Sequence, residues 1–132
     1  MCDSGMTAAQ VRVLGVDDES DVLCSLRRVF SGHDFVFIGA GSAAESLEIA
    51  RIGGRFDIII SDYRMPGMNG IEFLSAVRTF QPEALRILLT GQVPRQEIAA
   101  AFDAGIVHFQ VSKPWDDYEL LALIEAGSTL NR

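Results

Sequence analysis

The sequence predicts an α/β domain: a doubly wound five-stranded parallel sheet, order 2-1-3-4-5, with helices on both faces. Short runs rich in Val, Ile, Leu and Phe alternate five times with stretches whose apolar residues recur at helical spacing, the pattern of successive βαβ units. The middle run, Ile58-Ile59-Ile60, is β-branched and unbroken, as suits a strand buried on both faces of a parallel sheet. Turn residues mark the junctions, and right-handed crossovers then distribute the helices over both sides.

The elements follow in order. Residues 1–10 have no periodicity and read as a flexible lead-in, leaving 11–132 as one domain. Val11 to Val16 is the first strand. Ser20 or Asp21 can cap the first helix, whose stripe is Leu23, Leu26 and Phe30 and whose end is Gly32. Asp34 to Gly39 is the second strand, and Ser42-Ala43-Ala44-Glu45 has capping-box spacing for a helix carrying Leu47, Ile49 and Ala50 and closing at Gly53-Gly54. The third strand runs into Asp62 and a turn with Pro66, Gly67, Asn69 and Gly70. A helix with Ile71, Leu74 and Val77 follows and stops at Gln81-Pro82. Leu85 to Leu89 is the fourth strand, ending in Thr90-Gly91. Pro94 suits the first turn of a helix over Arg95 to Ala104, with Ile98 and Phe102 inward and Gly105 as its stop. Ile106 to Val111 is the fifth strand. Asp116 and Glu119 then open a last helix bearing Leu120, Leu123 and Ile124.

At 132 residues the chain can bury roughly two thirds of its unfolded surface in one core. Hydrophobic residues at 48% and charged residues at 22% fit a globular rather than a disordered chain. The net charge of -7 argues against direct nucleic-acid binding, which needs clustered Lys and Arg, and suits a cation instead. Cys2 and Cys24 form neither a disulfide framework nor a CxxC site, and Cys24 is expected in the core. With no apolar run of spanning length and no signal-peptide pattern, a cytoplasmic chain without membrane contact is expected.

The carboxyl edge of the sheet gathers Asp17-Asp18 after the first strand, Asp62 after the third, Thr90-Gly91 after the fourth and Lys113-Pro114 after the fifth. The second strand offers only Gly39-Ala40-Gly41. In this strand order the first and third strands meet at the reversal point, where open α/β sheets bind their ligands. Three acids in one crevice must share a proton or a hard divalent cation. Oxygen ligands completed by water suit Mg²⁺, and no His or Cys set for zinc is present. Mg²⁺ beside an Asp, a Lys and a hydroxyl is equipment for phosphoryl transfer, with Asp62 as the nucleophile that forms an acyl phosphate.

Asp17-Asp18, the segment Asp62-Tyr63-Arg64-Met65-Pro66-Gly67-Met68-Asn69-Gly70, Leu89-Thr90-Gly91 and Lys113-Pro114-Trp115 together resemble the receiver domain of two-component response regulators, which has a flavodoxin-like fold. The resemblance implies that Asp62 takes a phosphoryl group from the phosphohistidine of a sensor histidine kinase or a phosphotransfer protein. It implies that Asp18 ligates Mg²⁺ directly, Asp17 through water, Asp62 itself and the backbone carbonyl of Arg64 with them. Thr90 would turn toward the phosphate, Lys113 would pair with it, and Lys113-Pro114 would be cis. The implied protein is a signalling switch rather than a metabolic enzyme, catalysing only its own phosphorylation and dephosphorylation. Its partners would be an output domain or effector, with a homodimer through the fourth helix, fifth strand and fifth helix as one arrangement. One position departs from the family: where Tyr or Phe usually stands three residues before the lysine, this chain has Gln110, so the switch pair Thr90 and Gln110 lacks the usual ring.

Each motif alone has a bland reading. Asp17-Asp18-Glu19 could simply cap a helix, Lys113-Pro114 could be a turn, and Thr90 could make a local backbone bond. Their joint arrival at one edge favours the site. His33 and His108 read as structural or exposed, Trp115, Phe102 and Phe109 as packing, and Met65 and Met68 as turn packing. Three rivals remain. An Asp-nucleophile phosphatase of the haloacid dehalogenase type should show Asp-x-Asp after the first strand, and an FMN binder should show a loop rich in Ser, Thr and Gly there. A receiver-like interaction module working independently of phosphate would differ only in experiment.

Overall fold

The computed structural model describes residues 10–32, 34–91 and 95–130; the lead-in before Gln10, His33 and Pro94 lie outside the described residues. Strands β1 (Val11–Val16), β2 (Phe35–Ala40), β3 (Ile58–Asp62), β4 (Leu85–Thr90) and β5 (Phe109–Ser112) alternate with helices α1 (Ser20–Val29), α2 (Ala43–Ile52), α3 (Gly70–Val77), α4 (Arg95–Asp103) and α5 (Asp117–Leu130). All strand pairs are parallel, in the order β2-β1-β3-β4-β5. Among the described residues no helix is long and apolar enough to cross a membrane.

Strand periodicity sorts the core into two layers. Leu14, Val16, Ile59 and Leu88 face one side and pack against Ala50 of α2, Phe73 and Val77 of α3 and Ile98 of α4. Val13, Ile58, Ile60, Ile87 and Leu89 face the other and pack against Leu26 of α1 and Leu120 and Ile124 of α5. Every residue of β3 and β4 is buried, which is why Ile58-Ile59-Ile60 and Ile87-Leu88-Leu89 read as unbroken apolar runs. Each fully buried Ile or Leu contributes about 2 kcal/mol through removal of its surface from water.

The starts of α2, α3 and α5 are built from local side-chain bonds, whereas the N-cap of α1 is Glu19, whose side chain makes no cap bond, so the cap expected from Ser20 or Asp21 does not form. Asn69 and Glu72 form a reciprocal capping box at α3, and Asp116 Oδ1 accepts from the amides of Tyr118 and Glu119 at α5. Ser42 caps α2 by accepting from the Glu45 amide, but the Glu45 carboxylate accepts from Gly41 rather than Ser42, so only half of the expected box forms. Gly105, at φ 73, closes α4 in the left-handed conformation that glycine adopts without strain.

Several expectations are corrected. Cys24 is exposed. It precedes the buried Leu26 by two positions, about 200° around the helix, which turns its thiol to solvent. Phe102 is 38% exposed because the inward stripe of α4 is Ile98 and Ala101, leaving the ring at its margin. Helix α1 ends at Val29 with Phe30 as its cap, before Gly32. Helix α3 ends at Val77, before Gln81-Pro82, where the amides of Thr79 and Phe80 bond three residues back and tighten the last turn. Strand β5 starts at Phe109 rather than Ile106. The amides of Ile106 and Val107 both bond back to the Ala101 carbonyl, and the buried Arg86 guanidinium donates to the carbonyls of Gly105 and Ile106, so this stretch wraps the end of α4 instead of joining the sheet.

Candidate functional site

Strands β1 and β3 are hydrogen-bonded neighbours, so the residues at their ends meet. Asp17, fully buried, follows β1; Asp62, 5% exposed, is the last residue of β3; Asp18 is exposed beside them. One oxygen from each of the three lies within 4.8 Å of the others, and among the described residues these acids could hold one cation. The fold holds Asp17 in place through its amide, which donates to the Ala40 carbonyl, and through its Oδ1, which accepts from the Glu19 amide at 2.9 Å.

Behind Asp62 the packing leaves no slack. The Tyr63 amide donates to the Leu89 carbonyl of β4, and the Gly70 amide at the start of α3 donates to the Tyr63 carbonyl at 2.7 Å. A Cβ at Gly70 would collide with the Asp62 carbonyl oxygen and approach Leu88 Cδ1 to 2.8 Å and Tyr63 Cα to 2.9 Å. Glycine there lets α3 begin directly against the strand that carries Asp62.

Lys113 completes the cluster from the end of β5. Its amide donates to the Thr90 carbonyl, and its Nζ lies 2.9 Å from Asp62 Oδ1 and 3.5 Å from Asp17 Oδ2. The Lys113-Pro114 bond is cis. Thr90 ends β4, is 2% exposed, and its Oγ1 accepts from Gln110 Nε2 at 3.2 Å. Asp18, Glu19, Asp62, Tyr63, Arg64 and Lys113 line an open hollow of about 310 Å³.

The electrostatics record an excess of negative charge. Burial pushes the Asp17 carboxyl up to about 6; the Glu19 amide pulls it down, the Asp62 charge raises it further, and Lys113 offsets part of the rise. For Lys113, burial disfavours the ammonium, but the hydrogen bond to Asp62 and the fields of Asp17 and Asp62 outweigh it and lift the pKa above its ordinary value. The cluster sets three carboxylates against one ammonium, and its oxygen-only donor set suits a hard divalent cation.

Thus Asp17, Asp18, Asp62, Arg64 and Lys113 gather at one hollow, with Thr90 and Gln110 bonded to each other at its β4–β5 side. Sequence reasoning missed Glu19 as a support for Asp17, Gly70 as the residue that lets α3 close behind Asp62, and the Tyr63 hydroxyl, which donates to Glu97 Oε2 of α4 at 2.8 Å. The glycine in the Asn69-Gly70 turn was a usable signal for the second. The pairing of Tyr63 with Glu97, 34 positions apart, has no local signature. His108 is structural: its Nδ1 accepts from the Arg86 amide. Met65 and Met68 pack against the core as expected of turn residues.

Comparison with known proteins identifies the family and the fold. The model of the response regulator receiver domain family matches residues 13–125. The chain is 34% identical over 110 residues to the hydrogenase transcriptional regulatory protein HoxA of Cupriavidus necator, covering 83% of this chain and 22% of that protein. It is 34% identical over 124 residues to the transcriptional regulatory protein PrrA of Mycobacterium bovis, covering 94% of this chain and 52% of that protein. The chain thus spans about a fifth to a half of the length of these relatives. Among solved structures, the signal receiver domain of an HD domain-containing protein from Pseudomonas fluorescens superposes with a TM-score of 0.85 at 30% identity, covering 92% of this chain and 97% of that one. A response regulator receiver domain protein from Methanospirillum hungatei, at 24% identity and a TM-score of 0.86 over 93% of this chain and 97% of that one, shares the fold.

Proposed function

Since the chain belongs to the response regulator receiver domain family, we propose that Asp62 accepts a phosphoryl group from the phosphohistidine of a sensor kinase or phosphotransfer protein and that the phosphorylated form changes its partner. The observation that carries this reading is the placement of the Lys113 ammonium 2.9 Å from Asp62 Oδ1 beside three carboxylates within 4.8 Å of one another.

In the proposed reaction an Asp62 carboxylate oxygen attacks phosphorus, a P–O bond forms, and the donor's P–N bond breaks with its electron pair left on the imidazole. The Lys113 ammonium moves from the free carboxylate to the transferred group and holds one of its oxygens. Thr90 donates its hydroxyl proton to another. Asp17, Asp18 and Asp62 form an oxygen set that suits Mg²⁺, with Asp17 acting through water and the backbone carbonyl of Arg64 as the further ligand expected of the family; the ion when bound would neutralise phosphoryl oxygens and the carboxylates together. The bound phosphate favours the state in which Thr90 and Lys113 meet it better, and that unequal binding is what shifts the population.

The readout is proposed to be the face of α4, β5 and α5, offered to an output domain, an effector or a second copy of the chain. The catalysis is limited to the domain's own phosphorylation and dephosphorylation, in the cytoplasm. Phosphopeptide mapping after incubation with acetyl phosphate and Mg²⁺ tests the assignment: the base-labile phosphate should map to Asp62, and mapping to any other residue would remove the proposal.

A further inference from the structure

Thr90 and Gln110 stand on the same face of the sheet. Leu88, two residues before Thr90, packs in the α4-side layer, whereas Phe109 and Val111 pack in the α1–α5 layer, so Gln110 and Ser112 between and after them turn toward α4. The register pairs Leu88 with Gln110 and Thr90 with Ser112, which sets the amide one pair below the threonine and within reach of it. Gln110 Nε2 donates to Thr90 Oγ1 at 3.2 Å. The Thr90 carbonyl accepts from the Lys113 amide, which ties the end of β4 to the end of β5. Beside the pair lies a hollow of about 560 Å³ lined by Thr90, Arg95, Ile98, Ala99, Gln110 and Ser112, with room for the amide to move.

A threonine hydroxyl has one proton to give and two lone pairs to receive with. An amide that donates to Oγ1 fills one lone pair and leaves the proton uncommitted. We propose that Gln110 is the positioning residue for the Thr90 hydroxyl. Its amide orients Oγ1 so that the proton is donated toward the Asp62 edge, where it can engage a phosphoryl oxygen. The two hydrogen bonds use different parts of the same hydroxyl and coexist. This role rests on Asp62 as phosphoacceptor.

The test uses the full chain with beryllofluoride and Mg²⁺, a mimic of the phosphorylated carboxylate. Affinity is measured for wild type, Gln110→Leu, Thr90→Val and the double variant, and the Gln110 side-chain amide is followed by NMR in wild type. Removing one hydrogen bond should weaken beryllofluoride affinity about 3- to 10-fold when Thr90 is present. In the Thr90→Val background the same change should have less than about a twofold effect, since the amide acts through the hydroxyl. The Gln110 amide signals should shift on binding. Equal losses in both backgrounds, or amide signals that stay put while other resonances move, overturn the positioning role. If beryllofluoride gives no effect in wild type, or the same effect in Asp62→Asn, the phosphoacceptor reading itself fails and takes the role of Gln110 with it.

Discussion

Lys113 Nζ stands 2.9 Å from Asp62 Oδ1, across the full width of β4, because β5 delivers its last residues to the same edge as β3. With 23% of its side chain exposed against 8% for Asp62, this is an ion pair shielded from much of the solvent. The ammonium balances part of the acid cluster, and in the proposed reaction it turns to an oxygen of the transferred group.

Lys113→Met therefore separates two quantities. With the competing ammonium gone, Mg²⁺ should bind at least as tightly as in wild type, measured by titration of Trp115 fluorescence. Phosphorylation by acetyl phosphate should fall by about 100-fold, the scale of losing one charge-stabilising donor. A parallel loss of both would place Lys113 in the fold rather than in the chemistry.

Gly70→Ala tests the packing behind the nucleophile. The added methyl meets the Asp62 carbonyl oxygen, the Tyr63 backbone and the buried Leu88 methyl, and the first two, being backbone, cannot swing aside. Overpacking of this kind costs about 1–3 kcal/mol, to be read from urea unfolding. A variant as stable as wild type would show that α3 can retreat from β3 without cost.

His108 sets a pH dependence. Burial and the nearby Arg86 charge lower its pKa from 6.5, and its Nδ1 must be unprotonated to accept from the Arg86 amide. As pH falls below 6.5 the unfolded chain binds a proton that the folded chain refuses, so stability falls with pH in that window. Asp17 works in the opposite sense, since its folded pKa near 6 means the folded state gains protons first and is stabilised as pH falls through that value. The comparison is thus wild type against His108→Asn, which keeps an acceptor and cannot titrate. Between about pH 7 and 5 wild type should lose stability relative to the variant, and a flat difference would contradict the buried neutral imidazole.

Tyr63→Phe removes the hydroxyl that bonds to Glu97 Oε2. This contact is exposed, so global stability should change by less than about 1 kcal/mol. Amide exchange in the first turn of α4 should quicken, because a tie to the β3–α3 connection is lost. Unchanged exchange would mean that α4 is held by Ile98 and Ala101 alone.

Much of this molecule was legible in its residues. Ile58-Ile59-Ile60 marked the central strand because burial on both faces leaves no polar alternation, and Asp62 marked its end because the polar pair Ser61-Asp62 follows the run and the turn residues begin soon after. Strand order and edge chemistry then brought Asp17, Asp18, Thr90 and Lys113 to the same place. What escaped were choices between neighbours on one helix and side chains whose partners are distant in sequence. Cys24 and Phe102 looked apolar enough for the core, yet Leu26 and Ala101 already occupied the inward stripes. Ile106 looked like a strand residue until the Ala101 carbonyl and the Arg86 guanidinium claimed its backbone. The Gln110–Thr90 bond depends on parallel register, which no local pattern encodes.

The most direct measurement is intact mass after treatment with acetyl phosphate, with and without Mg²⁺, on wild type and on Asp62→Asn. Wild type should gain one phosphoryl group only when Mg²⁺ is present, and the variant should gain none. Uptake by Asp62→Asn at the wild-type level, or uptake by wild type that ignores Mg²⁺, would contradict a nucleophile at Asp62 served by a cation shared with Asp17 and Asp18.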